Sequence, residues 1–386
     1  MRRFVRMASG RSRIFGSKPD GGGGQGGYAV GVHRQKIVIV TPALADANNG
    51  NWQTARRWRQ MLAPAYRVQL AADWQAGQPG GDADLMVALH ARRSAPAVAA
   101  WRVAHPQRPL LLVLTGTDLY RDIRVDADAQ RSLVLAQCLV VLQSQGLDEL
   151  PPELRARTRV IEQSARPLPP LAPRRRSFDL LLVGHLRPEK DPLTAVRALA
   201  RLDDAAAQCL RLIQVGDTLD AGLAERMRDA ARADARIELR GALPHARTRA
   251  LIRHGRVLLL PSRIEGGANV LIEAVTACVP VLASRIPGSV GMLGQRYDGF
   301  FEAGDDLELA RLIRRCQVDP AFDDHLRAQC AARAPLFDPR RERAARSRRS
   351  PGMTASTPTL ARSSSTSTRT LFRSRRIATS RARSSA

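Results

Sequence analysis

The chain has 386 residues, 61 Lys+Arg against 36 Asp+Glu, a formal net charge of +25, and 44% hydrophobic but only 4% aromatic residues. So much apolar material excludes a generically disordered protein, and so few aromatics weaken a single-stranded nucleic-acid reading built on stacking platforms. The charge is uneven: residues 1–36 hold eight basic residues against Asp20, residues 340–386 hold thirteen arginines against Glu342, and the middle is only mildly basic.

In chain order, residues 1–35 are basic, then glycine-rich, and show no periodicity; a disordered extension is predicted. The start MRRFVRMASGRSRIF lacks the apolar core of a secretory signal. From Lys36, KIVIVTPAL reads as a buried strand. Trp52, Ala55, Trp58 and Met61 or Leu62 then recur at helical spacing. Strand-like runs follow at 67–72, 84–89, 110–115, 139–144 and 158–164, with helical segments between most of them. PLPPLAPRRR (167–176) marks a linker over 167–177. The alternation restarts with strands at 178–186, 210–216, 236–241, 257–262 and 279–284, a helix over 191–202, and helices over 306–318 and 320–333. Continuous apolar strands alternating with helices predict an α/β fold of two tandem doubly wound domains, 36–166 and 178–339, facing each other across a cleft. Residues 340–386 are dominated by Ser, Thr, Arg and Ala, and are predicted to be a disordered tail.

No apolar run approaches the roughly 18 residues of a spanning helix. The five cysteines (Cys138, Cys209, Cys278, Cys316, Cys330) have no CxxC spacing, which argues against zinc or a disulfide scaffold and fits a cytoplasmic protein. GxxxxGK[ST], HExxH and GxSxG are absent, and no essential metal is expected.

The strongest local signal is PSRIEGGANVLIEA (261–274). A strand ends at Pro261, a turn carries Glu265, Gly266 and Gly267, and a helix starts near Ala268 or Asn269. Paired glycines allow close approach of a ligand, and free amides at a helix start suit a diphosphate. Glu273 is placed to hold a ribose diol and Glu265 a sugar hydroxyl. On spacing alone, a plain strand–turn–helix connection with two solvated acids fits equally well; the surrounding PS…E…EA…PVLAS context favours the ligand. In VGHLRPEKDP (183–192), Gly184 ends a strand and His185, Arg187 and Lys190 follow. Cations there would balance a diphosphate leaving group; alone, they read as a solvated loop.

Three loops leave the first domain's strands on the cleft side. One is a polar turn with Asn49, Gly50 and Asn51 ahead of a helix. One carries His90, Arg92 and Arg93. One carries Thr115, Gly116, Thr117 and Asp118. His90 is a catalytic candidate, and the two arginines suit a phosphate-bearing co-substrate or are surface residues. His105, His245, His254 and His325 are read as surface residues without partners.

From about Lys36 to Ala345, the tandem halves, the GxL…K loop and the Glu-x7-Glu motif resemble the retaining GT-B glycosyltransferases. The resemblance implies two Rossmann-like domains, the second holding a nucleotide sugar and the first an acceptor. It implies that Lys190 contacts the donor diphosphate, that Gly266, Gly267, Ala268, Asn269 and Val270 cradle it, and that Glu265 faces the donor sugar. Glu273 would hold ribose, and His90 would lie near the reacting sugar. An arginine usual at His185 is missing, and Arg187 is expected to replace it. A narrower set, ALHARRSAPAV, LTGTDLYRD, GHLRPEKDP, SRIEGGANV and ASRIPGSVG, is similar to the selenosugar synthases of selenoneine biosynthesis. This implies attack of selenophosphate on a UDP-sugar, UDP-GlcNAc or UDP-glucose, giving a 1-selenosugar without a cofactor. It leaves specific nucleic-acid binding unexpected. In such proteins the last helix crosses back onto the first domain; a shift of reading frame near codon 346 would account for the Arg/Ser-rich tail. Two readings stand beside it: a UDP-sugar-dependent transferase with a saccharide or lipid hydroxyl acceptor, and a basic nucleic-acid-binding protein acting through its tails.

Overall fold

The computed structural model describes residues 34–44, 49–169, 171, 177–203 and 205–345. The predicted extension up to residue 33, linker positions 170 and 172–176, and the tail beyond 345 lie outside the described residues.

The first domain runs β1 (Lys36–Val40), α1 (Gly50–Leu62), β2 (Arg67–Ala71), β3 (Leu85–Leu89), α2 (Ala95–Ala104), β4 (Leu110–Leu114), α3 (Ala127–Leu135), β5 (Cys138–Val141) and β6 (Thr158–Val160). Its six strands are parallel, in the order β2-β1-β3-β4-β5-β6. Every residue of β3 and β4 is buried, as a parallel sheet covered on both faces requires. One face packs on Trp74, Trp101 and Leu133, the other on Trp58, Leu62 and Tyr66. Helix α1 starts earlier than its apolar spacing indicates, because the Asn49 side chain accepts from the Trp52 amide (3.1 Å) and caps it. Gly50 and Asn51 therefore form its first turn and not a loop ahead of it.

The second domain runs β7 (Phe178–Val183), α4 (Pro192–Ala200), β8 (Leu210–Val215), α5 (Ala221–Ala233), β9 (Ile237–Leu239), α6 (His245–His254), β10 (Val257–Leu260), α7 (Asn269–Thr276), β11 (Val281–Ser284), α8 (Pro287–Leu293), β12 (Phe300–Phe301), α9 (Asp306–Val318), α10 (Pro320–Arg333) and α11 (Pro339–Ala345). The strand order is β12-β11-β10-β7-β8-β9, again all parallel. Asp305 and Asp319 cap α9 and α10 by accepting from Glu308 N and Phe322 N. The two-residue β12 is missing from the sequence reading because it is too short to carry a period.

Helix α11 extends the fold past the boundary expected at 340. Glu342 is 1% exposed. Its Oε1 accepts from Trp58 Nε1 (2.8 Å), and its Oε2 accepts from Ser164 N (3.0 Å) and Arg57 Nε (3.1 Å). These first-domain donors offset the desolvation of a buried carboxylate, which composition alone cannot anticipate. Two histidines read as unpartnered have partners: His105 packs against Trp74 and Trp101, and His325, at the surface as read, has Nε2 2.7 Å from Asp298 Oδ2.

In each sheet the order of strands reverses at one point, between β1 and β3 and between β7 and β10. The loops leaving these strands line the crevice where doubly wound sheets bind ligands. Among the described residues no helix is long and apolar enough to cross a membrane.

Candidate active site

The second-domain wall is built by the loops after β7 and β10. Glu265 is 7% exposed. Its Oε1 accepts from Ser262 Oγ (2.7 Å) and from Lys190 Nζ. Lys190 thus bridges to Glu265 while its alkyl stem lies over Gly184: a Cβ there would sit 3.7 Å from Lys190 Cδ. The Arg187 Nε is buried without a protein hydrogen-bond partner, an arrangement that calls for water or a ligand. His185 Nδ1 accepts from the Asp217 amide (3.0 Å), so its ring is tied to the β8 exit.

Helix α7 begins at Asn269, and Ala268 at its N-cap supplies no capping side chain. Its first amides are therefore left for other acceptors, at the positive end of the helix dipole. Glu273, 8% exposed, lies one turn further along. Its Oε1 is 2.5 Å from His245 Nε2 and 3.9 Å from Arg249 Nε. His245, read from sequence as a surface residue, belongs to this wall. The available signal was its place at the start of the helix that follows β9.

The first-domain wall holds His90, 3% exposed, directly after β3. Its φ of +73° is uncommon for a residue with a Cβ. Nδ1 accepts from the Arg93 amide (3.3 Å), so the neutral ring carries its proton on Nε2, 3.0 Å from Thr117 Oγ1. Burial pulls the His90 pKa below its usual 6.5, with Asp118 opposing the shift.

Two predicted acceptor residues are placed elsewhere. Asp118 is fully buried, and its Oδ1 accepts from Thr115 N (2.9 Å) and Gly116 N (2.8 Å), its Oδ2 from Ala91 N (2.9 Å). It ties the β3 and β4 loops together and does not line the cleft. Arg92 turns to Asp122 (Nε–Oδ2 3.2 Å) and is likewise absent from the lining. Adjacent residues at a helix start point in different directions, and the sequence did not tell which arginine faces inward. Arg93, Thr117, Asn49, Gly50 and Asn51 do line the cleft, together with His90. The predicted second-domain residues Gly184, Arg187, Lys190, Glu265, Gly266, Gly267, Ala268, Asn269, Val270 and Glu273 line it as well. Gln163, unremarked in the sequence, joins the walls by donating through Nε2 to the Gly267 carbonyl (2.9 Å). Arg121 Nη1 and Glu189 Oε1 add an ion pair across the cleft at 3.5 Å.

The resulting cleft of about 240 Å³ has carboxylates, cations and free helix amides on one wall and a neutral histidine with an arginine on the other. Such a wall can hold a sugar by its hydroxyls and a diphosphate by its charge.

Residues 170–336 match the family described as glycosyl transferases group 1. Three solved structures are similar over most of their length. HepE from Anabaena in complex with UDP-glucose has 17% identity and a TM-score of 0.62, covering 79% of this chain and 96% of that one. Sucrose-phosphate synthase from Thermosynechococcus elongatus has 17% identity and a TM-score of 0.66, covering 80% and 96%. The lipopolysaccharide outer core galactosyltransferase WaaB has 12% identity and a TM-score of 0.59, covering 81% and 98%. The two parallel six-stranded sheets and their helices form the GT-B fold.

Proposed function

We propose that this chain, which carries a group 1 glycosyl transferase segment over residues 170–336, transfers a sugar from UDP-GlcNAc or UDP-glucose to selenophosphate. The donor half rests on one observation: Lys190, Arg187, the uncapped start of α7 and Glu273 converge on one wall of the cleft. As the bond between the anomeric carbon and the diphosphate breaks, its electrons leave with UDP. Charge builds on the diphosphate, where two cations and helix amides stabilise it. In this reading these groups do the work of a metal. Glu273 takes the ribose diol, and Glu265 takes a hydroxyl of the transferred sugar. HepE in complex with UDP-glucose has the same fold, which supports the choice of donor.

The acceptor half rests on Arg93, on the facing wall beside His90 and the Thr117 hydroxyl. A guanidinium there suits a small phosphorylated nucleophile. The selenium lone pair forms the bond to the anomeric carbon, and water then cleaves the P–Se bond, giving phosphate and a 1-selenosugar. Neutral His90 orients the Thr117 hydroxyl at this wall.

The test is to incubate the full chain with each UDP-sugar and selenophosphate in the presence of EDTA, following UDP release and product mass. UDP together with a selenium-bearing sugar is expected. No UDP release with any UDP-sugar overturns the donor reading; turnover supported only by a hydroxyl acceptor overturns selenophosphate.

A further inference from the structure

Arg57 lies on α1 of the first domain, outside the cleft lining, with its side chain 17% exposed. Its guanidinium reaches three distant segments. Nε donates to Glu342 Oε2 on α11 (3.1 Å). Nη1 donates to Asn269 Oδ1, on the first residue of α7 (3.0 Å). Nη2 donates to Gln163 Oε1, beyond β6. Gln163 Oε1 also accepts from Thr54 Oγ1 (2.7 Å), and its amide nitrogen donates to Gly267 O (2.9 Å). Apart from Glu342 on α11, the second-domain contacts of this network fall on Gly267–Asn269, the stretch that leads into the uncapped start of α7.

We propose that Arg57, seated by Glu342, is a positioning residue that latches the two domains and sets where the start of α7 meets the donor. The naming of the donor rests on the UDP-sugar reading above; the latch itself does not. A guanidinium suits the task because its planar fork presents several donors in fixed directions, which an ammonium cannot reproduce. Glu342 supplies the anchor: its side chain is wholly buried, and it keeps Trp58 and Ser164 as further donors. Helix α11 thus governs the donor site without contributing a residue to it.

The variants R57M, R57K, N269A and the double variant R57M/N269A test this. R57M leaves Glu342 bonded to Trp58 and Ser164, so α11 stays seated while Asn269 and Gln163 lose their tether. Two readouts apply. In amide hydrogen exchange of the unliganded chain, the 262–276 segment should exchange at least about tenfold faster in R57M and β7 should be unchanged. In steady-state kinetics, KM for the UDP-sugar should rise about tenfold with kcat changed less than about twofold, as expected for loss of one charge-assisted contact. N269A should match R57M, the double variant should add little, and R57K should fall between. Unchanged exchange over 262–276 overturns the latch, as does a lowered Tm with wild-type donor KM. Absence of turnover in the wild type defeats the donor reading alone, and the exchange comparison still decides the latch.

Discussion

Gly266 and Thr115 meet backbone to backbone across the domain boundary: a Cβ on Gly266 would lie 2.3 Å from the Thr115 carbonyl oxygen. Gly116, at φ +153°, faces the Gly266 amide from the other side, its own Cβ position 3.2 Å away. The glycines of this turn therefore serve the contact between domains as well as any ligand. Gly266→Ala should force the walls apart or strain the loops, costing about 1–3 kcal/mol. Denaturant titration together with UDP titration checks it; wild-type values in both would show that the contact yields without cost.

Lys190 and Glu265 form an ion pair. Lys190→Met should weaken UDP binding about ten- to hundredfold, the effect of losing a charge-assisted contact to the diphosphate. Calorimetric titration measures it. Glu265→Gln frees Lys190 from its partner and should retain UDP affinity while turnover falls. If Lys190→Met binds UDP as the wild type does, Lys190 does not hold the diphosphate.

Asp118 accepts three backbone N–H bonds and does not itself line the cleft. In Asp118→Asn one side-chain oxygen becomes a donor, leaving at least one buried amide unpaired, so stability should fall by about 1–3 kcal/mol. UDP affinity of the folded variant should stay near wild type. A stability change within about 0.5 kcal/mol, the range of ordinary surface substitutions, would remove its structural role.

His90 gives the fold a pH dependence of known sign. Its pKa in the folded chain is lowered by burial, so the unfolded chain binds the proton more readily. The contribution of the neutral ring is complete above the unfolded value of about 6.5 and is lost as pH falls below it. Between pH 7.5 and 5.5 the wild type should lose more stability than His90→Asn, a residue that tolerates positive φ. His90→Ala should cost about 1 kcal/mol more than His90→Asn at either pH. Parallel pH profiles for wild type and His90→Asn would sink the assignment.

Much of this architecture is legible before any coordinates. LMVAL and LLLVL (85–89 and 110–114) are apolar at every position, and burial on both faces of a parallel sheet leaves that mark locally. Glu265 and Glu273 stand out because a strand, a glycine turn and a helix follow one another within fourteen residues. Other residues give no local sign. Arg92 and Arg93 are neighbours of identical chemistry, and only the path of the chain after His90 sends one to Asp122 and the other to the cleft. Asp118 reads as a cleft carboxylate until the three amides it accepts from are seen. Glu342 stands in arginine-rich sequence like a solvated acid, yet its partner Trp58 lies 284 residues away.

The sequence by itself determined the two sheets, their order along the chain and the glycine turn of the cleft wall, because periodicity and helix starts are written in contiguous residues. The tertiary structure decided which charges face one another. Lys190 against Glu265, His245 against Glu273, and Arg57 between Glu342 and Asn269 join side chains far apart in the chain. A buried charge is tolerated only where a distant donor comes to meet it, and that meeting exists only once the chain has folded.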